Sequence, residues 1–429
     1  MSAPMITKVM TAGAAMAMIL TAATARAQSN PLEHWASQYG VSAQPLSSGT
    51  TGGKMDFKPY SASYLPRYEG PLNRQHDTGI DDVIKNGYKN PDGSNCDLIH
   101  DRIKANVDKS SAHKFDTAAT NAEGTNPGLA DDYEKNGHDE HAPSWTGFCH
   151  LWAPAGLDPV SNFIVSMDRI YADVPFGIGD LKELNTWNYP HPSSKFFGER
   201  NNGDEKPENN FDPADMLAIF QNYVGSGKPG VVLDVTPGAE VWNQAVYSYE
   251  NVATDATADD AKAAGLTIPA GGKAIKANLS MTWTVEGSYA YRGEAYTRDR
   301  TLAYTAVVDK SGKITGAKWD AGSIGEVPDF AWVPETKWET ENYKRLQKIA
   351  KEGIPLSGVE KLCADLASLP QGSVPAATAA DITAQLDVVC PLLDSNKLDA
   401  YIKDIAAKKG IDYSVLDAAI NGGQPEPRS

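Results

Sequence analysis

The spacing of apolar positions changes several times along this chain, and each change marks a different kind of segment. Residues 12–23 form an almost unbroken apolar stretch, preceded by Lys8 and followed by Ala25-Arg26-Ala27, the small-x-small pattern at which signal peptides are cut. That stretch is too short to span a bilayer, and nothing later reaches about 18 consecutive apolar residues. Residues 1–27 are therefore expected to be a signal peptide of bacterial type, and the mature chain to be secreted or periplasmic. Residues 28–60 are polar, rich in Ser, Gly and Thr without a sustained period, and read as a linker. An Asp- and Asn-rich region follows with short helical pieces, over 95–107 and then over 180–184.

From Gly230 the period shortens to two. Val231-Val232-Leu233 reads as a buried strand, and 240–249 alternates loosely. Residues 277–285, 288–292 and 301–308 carry Thr, Tyr, Trp and Val at alternate positions, which predicts strands. Asp309-Lys310-Ser311-Gly312-Lys313 is a hairpin turn into a strand over 314–319. Beyond Pro334 the helical period takes over, with helices predicted over 341–351, 358–368, 380–393, 398–408 and 415–420. Helices, then an antiparallel sheet, then more helices make an α+β fold with a C-terminal helical tail. There is no long-period repeat.

Charge narrows the partners. The net charge is −16, and removal of Lys8 and Arg26 with the signal takes it to −18. Such a surface repels nucleic acid and anionic membrane. Four cysteines in an exported chain invite disulfides. Cys363 and Cys390 both lie in the helical tail and can bridge one helical hairpin, which would stabilise by about 3 kcal/mol. Cys96 is then left over, unless it pairs with Cys149.

Cys149 is the candidate of most chemical interest. It follows Ser144-Trp145-Thr146-Gly147-Phe148 and opens a run, His150-Leu151-Trp152-Ala153, that can start a helix. The N–H groups at a helix start favour a thiolate and can hold an oxyanion. A buried core cysteine is the plain alternative. No metal or cofactor is implied. The calcium-like loop beginning at Asp132 has Pro143 where a bidentate Glu belongs, and His138-Asp139-Glu140-His141 lacks a third defined ligand for zinc.

Four separated stretches resemble the transglutaminase elicitor family, secreted proteins of plant-pathogenic oomycetes with relatives in marine bacteria. They are Trp145 to Ala155 around Cys149; Phe176 to Leu184 with Phe197-Gly198-Glu199-Arg200; Leu233 to Tyr247, including Val241-Trp242-Asn243-Gln244; and Gly312 to Trp319 with Pro328-Asp329-Phe330-Ala331-Trp332. The resemblance spans 61–335 and leaves 336–429 as a C-terminal helical region. It implies a papain-like or transglutaminase-like core, with a nucleophile helix against an antiparallel sheet. It also implies Cys149 as nucleophile and Asp234 as an orienting acid. The implied reaction is aminoacyl transfer from a protein glutamine to a primary amine.

One departure stands out. The family pattern carries a histidine shortly before the strand with the acid. Here that stretch is Asp212-Pro213-Ala214-Asp215-Met216-Leu217, and no histidine occurs after His191. Val327 fills the second position at which one could stand. The remaining candidates are His138, His141, His150 and His191. Two further readings stay open: a non-catalytic effector on the same fold, and a papain-like cysteine protease.

Overall fold

The computed structural model describes residues 31–76, 79–190, 192–200, 211–288, 295–335 and 338–420. Two units are present. Residues 31–42 hold one short helix, Pro31–Tyr39, and the body begins at Ala43.

The body is built on eight antiparallel strands: β1 Gly49–Lys54, β2 Ser194–Gly198, β3 Val232–Asp234, β4 Asn243–Ala256, β5 Lys273–Thr284, β6 Thr297–Val308, β7 Ile314–Trp319 and β8 Phe330–Pro334. Their order is β7-β6-β5-β4-β3-β8-β2, with β1 added beside β4. One edge of β4 is shared, because β3 pairs with residues 243–245 and β1 with 248–253. The region expected to be a linker thus contains a strand. β1 is Gly- and Thr-rich and mostly exposed, so no alternation of core residues marks it. Backbone pairing with β4 sets its register.

The helices that surround the sheet and form the tail are α1 Ser111–Glu123, α2 Cys149–Leu157, α3 Ile178–Asn188, α4 Pro213–Tyr223, α5 Glu341–Glu352, α6 Ser357–Ala367, α7 Ala376–Val389, α8 Ser395–Lys409 and α9 Tyr413–Ile420. α2 is buried everywhere except His150. One side, with Ala153 and Leu157, packs on Val232, Ala245, Phe330 and Trp332 of the sheet. The other side, with Trp152 and Ala155, packs among Phe115 of α1, Leu181 and Leu184 of α3, and Leu346 of α5. A helix apolar all round belongs at such a centre. The expected α+β architecture, with the helix that begins at Cys149 packed against an antiparallel sheet, is what the chain forms.

The C-terminal helices α6 to α9 build a second core with the segment around Ile84, Ile99 and Ile103. Here the expected disulfide is corrected: Cys363 pairs with Cys96, and Cys149 and Cys390 are the free thiols. Cys363 lies on the buried face of α6, turned toward Cys96, whereas Cys390 begins an exposed turn after α7. The helix expected over 95–107 shrinks to Asp101–Lys104. Cys96 instead pairs its backbone with Tyr88, and the backbone at 98–100 bonds to residues 392–394. The strand expected over 288–292 falls mostly outside the described residues. No described helix is long and apolar enough to cross a membrane.

Candidate active site

Cys149 is the first residue of α2, and no side chain caps that end; the N-cap residue is Phe148. The first N–H groups of a helix have no partner within it, so this end offers donors and a positive field to an anion. The loop before it is held against residues 64–65. Phe148 N–H donates to the Tyr64 carbonyl at 2.6 Å, and the Tyr64 hydroxyl donates to the Ser144 carbonyl at 2.7 Å. A Cβ on Gly147 would stand 2.5 Å from both the Tyr64 ring and the Tyr64 carbonyl oxygen. Only glycine permits that approach, which explains why this position precedes the thiol.

The sulfur is covered, with Cys149 only 5% exposed. Its thiol donates to the Val241 carbonyl at 3.7 Å. Asn243 Nδ2 donates to the sulfur at 3.6 Å, and Asn243 Oδ1 accepts from Trp332 Nε1 at 2.8 Å. Burial pushes the thiol up from its ordinary value. The Asn243 backbone and side-chain N–H groups pull it down, and the charges of Glu286 and Asp234 push it up again.

Asp234 pairs in register with Asn243, so the two side chains share the face of the sheet turned to α2. Its Oδ1 accepts from Trp242 N–H at 2.9 Å and from the Thr236 hydroxyl at 3.1 Å, which ties together both ends of the 235–242 loop. That loop carries the carbonyl over Cys149. Asp234 Oδ2 is buried with no hydrogen-bond partner among the described residues. Burial pushes this carboxyl up to about 6, with help from the charge of Asp329 and against its own hydrogen bonds.

Trp242 joins the site to a groove. Its ring meets Tyr64 edge-on at 5.3 Å. It also lines a cavity of about 380 Å³ with Gln244, Trp283, Glu286, Arg298 and Arg300.

Residues 32–365 match the transglutaminase elicitor family. The chain belongs to that family. In fold it is similar to the crystal structure of the GP42 transglutaminase from Phytophthora sojae, with a TM-score of 0.55 at 19% identity. That match covers 75% of this chain and 97% of the other. No curated protein sequence matches the chain.

Within this transglutaminase elicitor fold, neither hydrogen-bond partner of the sulfur is a histidine. Leu217, at the position where the resemblance leads one to expect a histidine, is fully buried in α4, which packs on β1 and β7. Val327 is fully buried too. The described histidines are engaged otherwise. His138 contacts Glu134 at 2.8 Å, His141 is exposed, and the exposed His150 ring lies 6.0 Å from that of Phe148. His191 is outside the described residues. Sequence reasoning missed Asn243 and Trp332 as site residues. The signal for both was available: each is a polar-capable side chain at an inward position of a strand, where alternation calls for an apolar group.

Proposed function

We propose that this protein is an exported acyltransferase of transglutaminase type. Cys149 attacks the side-chain amide carbon of a protein glutamine, and N–H groups at the start of α2 hold the oxyanion. Ammonia leaves, taking up the proton released by the thiol, and a lysine amine or water then resolves the thioester. Asp234 is the acid of the site. Near neutral pH it is ionised, and its unpartnered Oδ2 suits it to accept a proton when the 235–242 loop opens. The observation that carries this reading is the free Cys149 thiol at the uncapped start of α2, inside a chain of the transglutaminase elicitor family. The test is incorporation of a labelled primary amine into a glutamine-containing protein by wild type and Cys149→Ala. Label in the first and none in the second is expected, and equal background in both removes the reading.

A second reading has its own support. Leu217 stands buried where the resemblance leads one to expect a histidine, and among the described residues neither hydrogen-bond partner of the sulfur is a histidine. On that reading the fold persists as a binding protein. Cys149→Ser would then leave its biological effect intact, and loss of the effect would argue against it.

A further inference from the structure

An amide side chain can point either end at a neighbour, and only its surroundings decide which. At Asn243 the surroundings are decisive. Trp332 Nε1 is a donor with no acceptor capacity, and it lies 2.8 Å from one end of the amide. That end must be the carbonyl. The other end, Nδ2, is thereby fixed toward Cys149 Sγ at 3.6 Å. Both groups are anchored on packed strands, Asn243 at the first residue of β4 and Trp332 in the middle of β8, and neither residue is more than 8% exposed. The amide therefore cannot turn over without leaving the indole N–H buried and unpaired.

The sulfur thus faces opposed groups, with the Asn243 backbone N–H, which no substitution at that position removes, on the same side as the amide. The Val241 carbonyl accepts, so it favours the neutral thiol. The Asn243 amide donates, so it favours the thiolate. The titratable groups near the sulfur, Asp234 on β3, Glu286 after β5 and Tyr64 on the preceding loop, offer no positive charge. In a chain where histidine partners the nucleophile, an imidazolium would supply one.

We propose that Asn243, oriented by Trp332, holds the negative charge of the Cys149 thiolate in place of a histidine. Asn243 is then a catalytic residue, and Trp332 a positioning residue acting through it. The inference rests on Cys149 being the nucleophile, but its test does not depend on transfer activity.

The readout is the pH dependence of iodoacetamide alkylation, followed by mass in a Cys390→Ser background so that Cys149 is the one free thiol. Asn243→Ala should move the alkylation midpoint up by about one pH unit, a tenfold loss of thiolate at fixed pH. Asn243→Asp keeps the shape and replaces the donor with an acid, so its midpoint should rise further. Trp332→Phe keeps the ring and removes the N–H; its midpoint should rise by less than in Asn243→Ala. A thermal melt of each variant confirms folding. An unchanged midpoint in folded Asn243→Asp overturns the proposal, and an unchanged midpoint in Trp332→Phe overturns the positioning role. If the midpoints shift while no variant or wild type incorporates amine, the acyltransferase reading fails, and Asn243 still holds the thiolate but is no catalytic residue of that reaction.

Discussion

Removing the Cys96–Cys363 link tests how the C-terminal helices are held. In the double variant Cys96→Ala, Cys363→Ala the bond is lost and both sites keep an apolar group. The bond joins residues 267 apart. On the loop-entropy account a closure of that length is worth about 5.6 kcal/mol, just above the usual range for disulfides. Whole domains hold only about 5–15 kcal/mol, so the loss is large. It should also be local. The residues that pack around Cys96 and Cys363, among them Ile99, Ile103, Leu362, Leu366 and Ile382, are distinct from those packed on α2. Urea unfolding followed by circular dichroism should therefore show a new transition at low denaturant. Limited trypsin digestion should cut in α6 to α8, at Lys361, Lys397 or Lys403, before it cuts the sheet. A single transition at the wild-type midpoint, with loss of the bond confirmed by mass, would refute the reasoning. A non-reducing peptide map joining Cys363 to Cys390 would refute it sooner.

Three further variants have expected outcomes. Asp234→Asn should abolish the acid limb of transfer activity near pH 6 if the carboxylate is the acid of the site; an unchanged limb in the variant assigns it elsewhere. The same substitution bears on stability. A carboxyl whose folded value is raised from 3.8 to about 6 destabilises the fold progressively as pH rises between those values. The variant should therefore gain up to about 3 kcal/mol at pH 7 and nothing at pH 3, read from thermal melts at both. Leu217→His should cost about 2–4 kcal/mol, because it places a polar ring at a fully buried site, and should not raise amine incorporation; a gain in rate would show that the site tolerates its absent histidine. Gly147→Ala should destabilise by about 1–3 kcal/mol and slow alkylation of Cys149, since the Tyr64 backbone blocks the added methyl; a wild-type melt with wild-type alkylation would contradict that geometry.

Local pattern served well where neighbours in sequence are neighbours in space. The tail helices fall within a few residues of α5 to α9, and the strand over 314–319 coincides with β7. Cys149 does open a helix, as the run after it suggested. What the pattern could not carry is pairing across distance. The partner of Cys363 lies 267 residues away, in a segment whose backbone is drawn out of helix by residues 392–394. Asn243 has the same origin. Its polar side chain at an inward strand position was a local signal, but its role comes from Trp332 on another strand and Cys149 on a helix, both far from it in sequence. β1 escaped notice because a strand exposed on its faces needs no apolar alternation.

The carbonyl lying over Cys149 bears on how long the protein lasts as well as on how it reacts. Peroxide and oxidised thiols attack thiolates, and the first product, a sulfenic acid, leads on to forms that no reductant outside a cell restores. A sulfur that rests protonated beneath Val241, 5% exposed, presents little of the reactive species to such agents. The exposed Cys390 has no such cover and should be the first thiol lost to oxidation, leaving the buried one in working order. Cover over the sulfur therefore sets a trade between readiness and lifetime: on the proposed reading, any movement of Val241 that uncovered the thiol for a substrate would uncover it for an oxidant too.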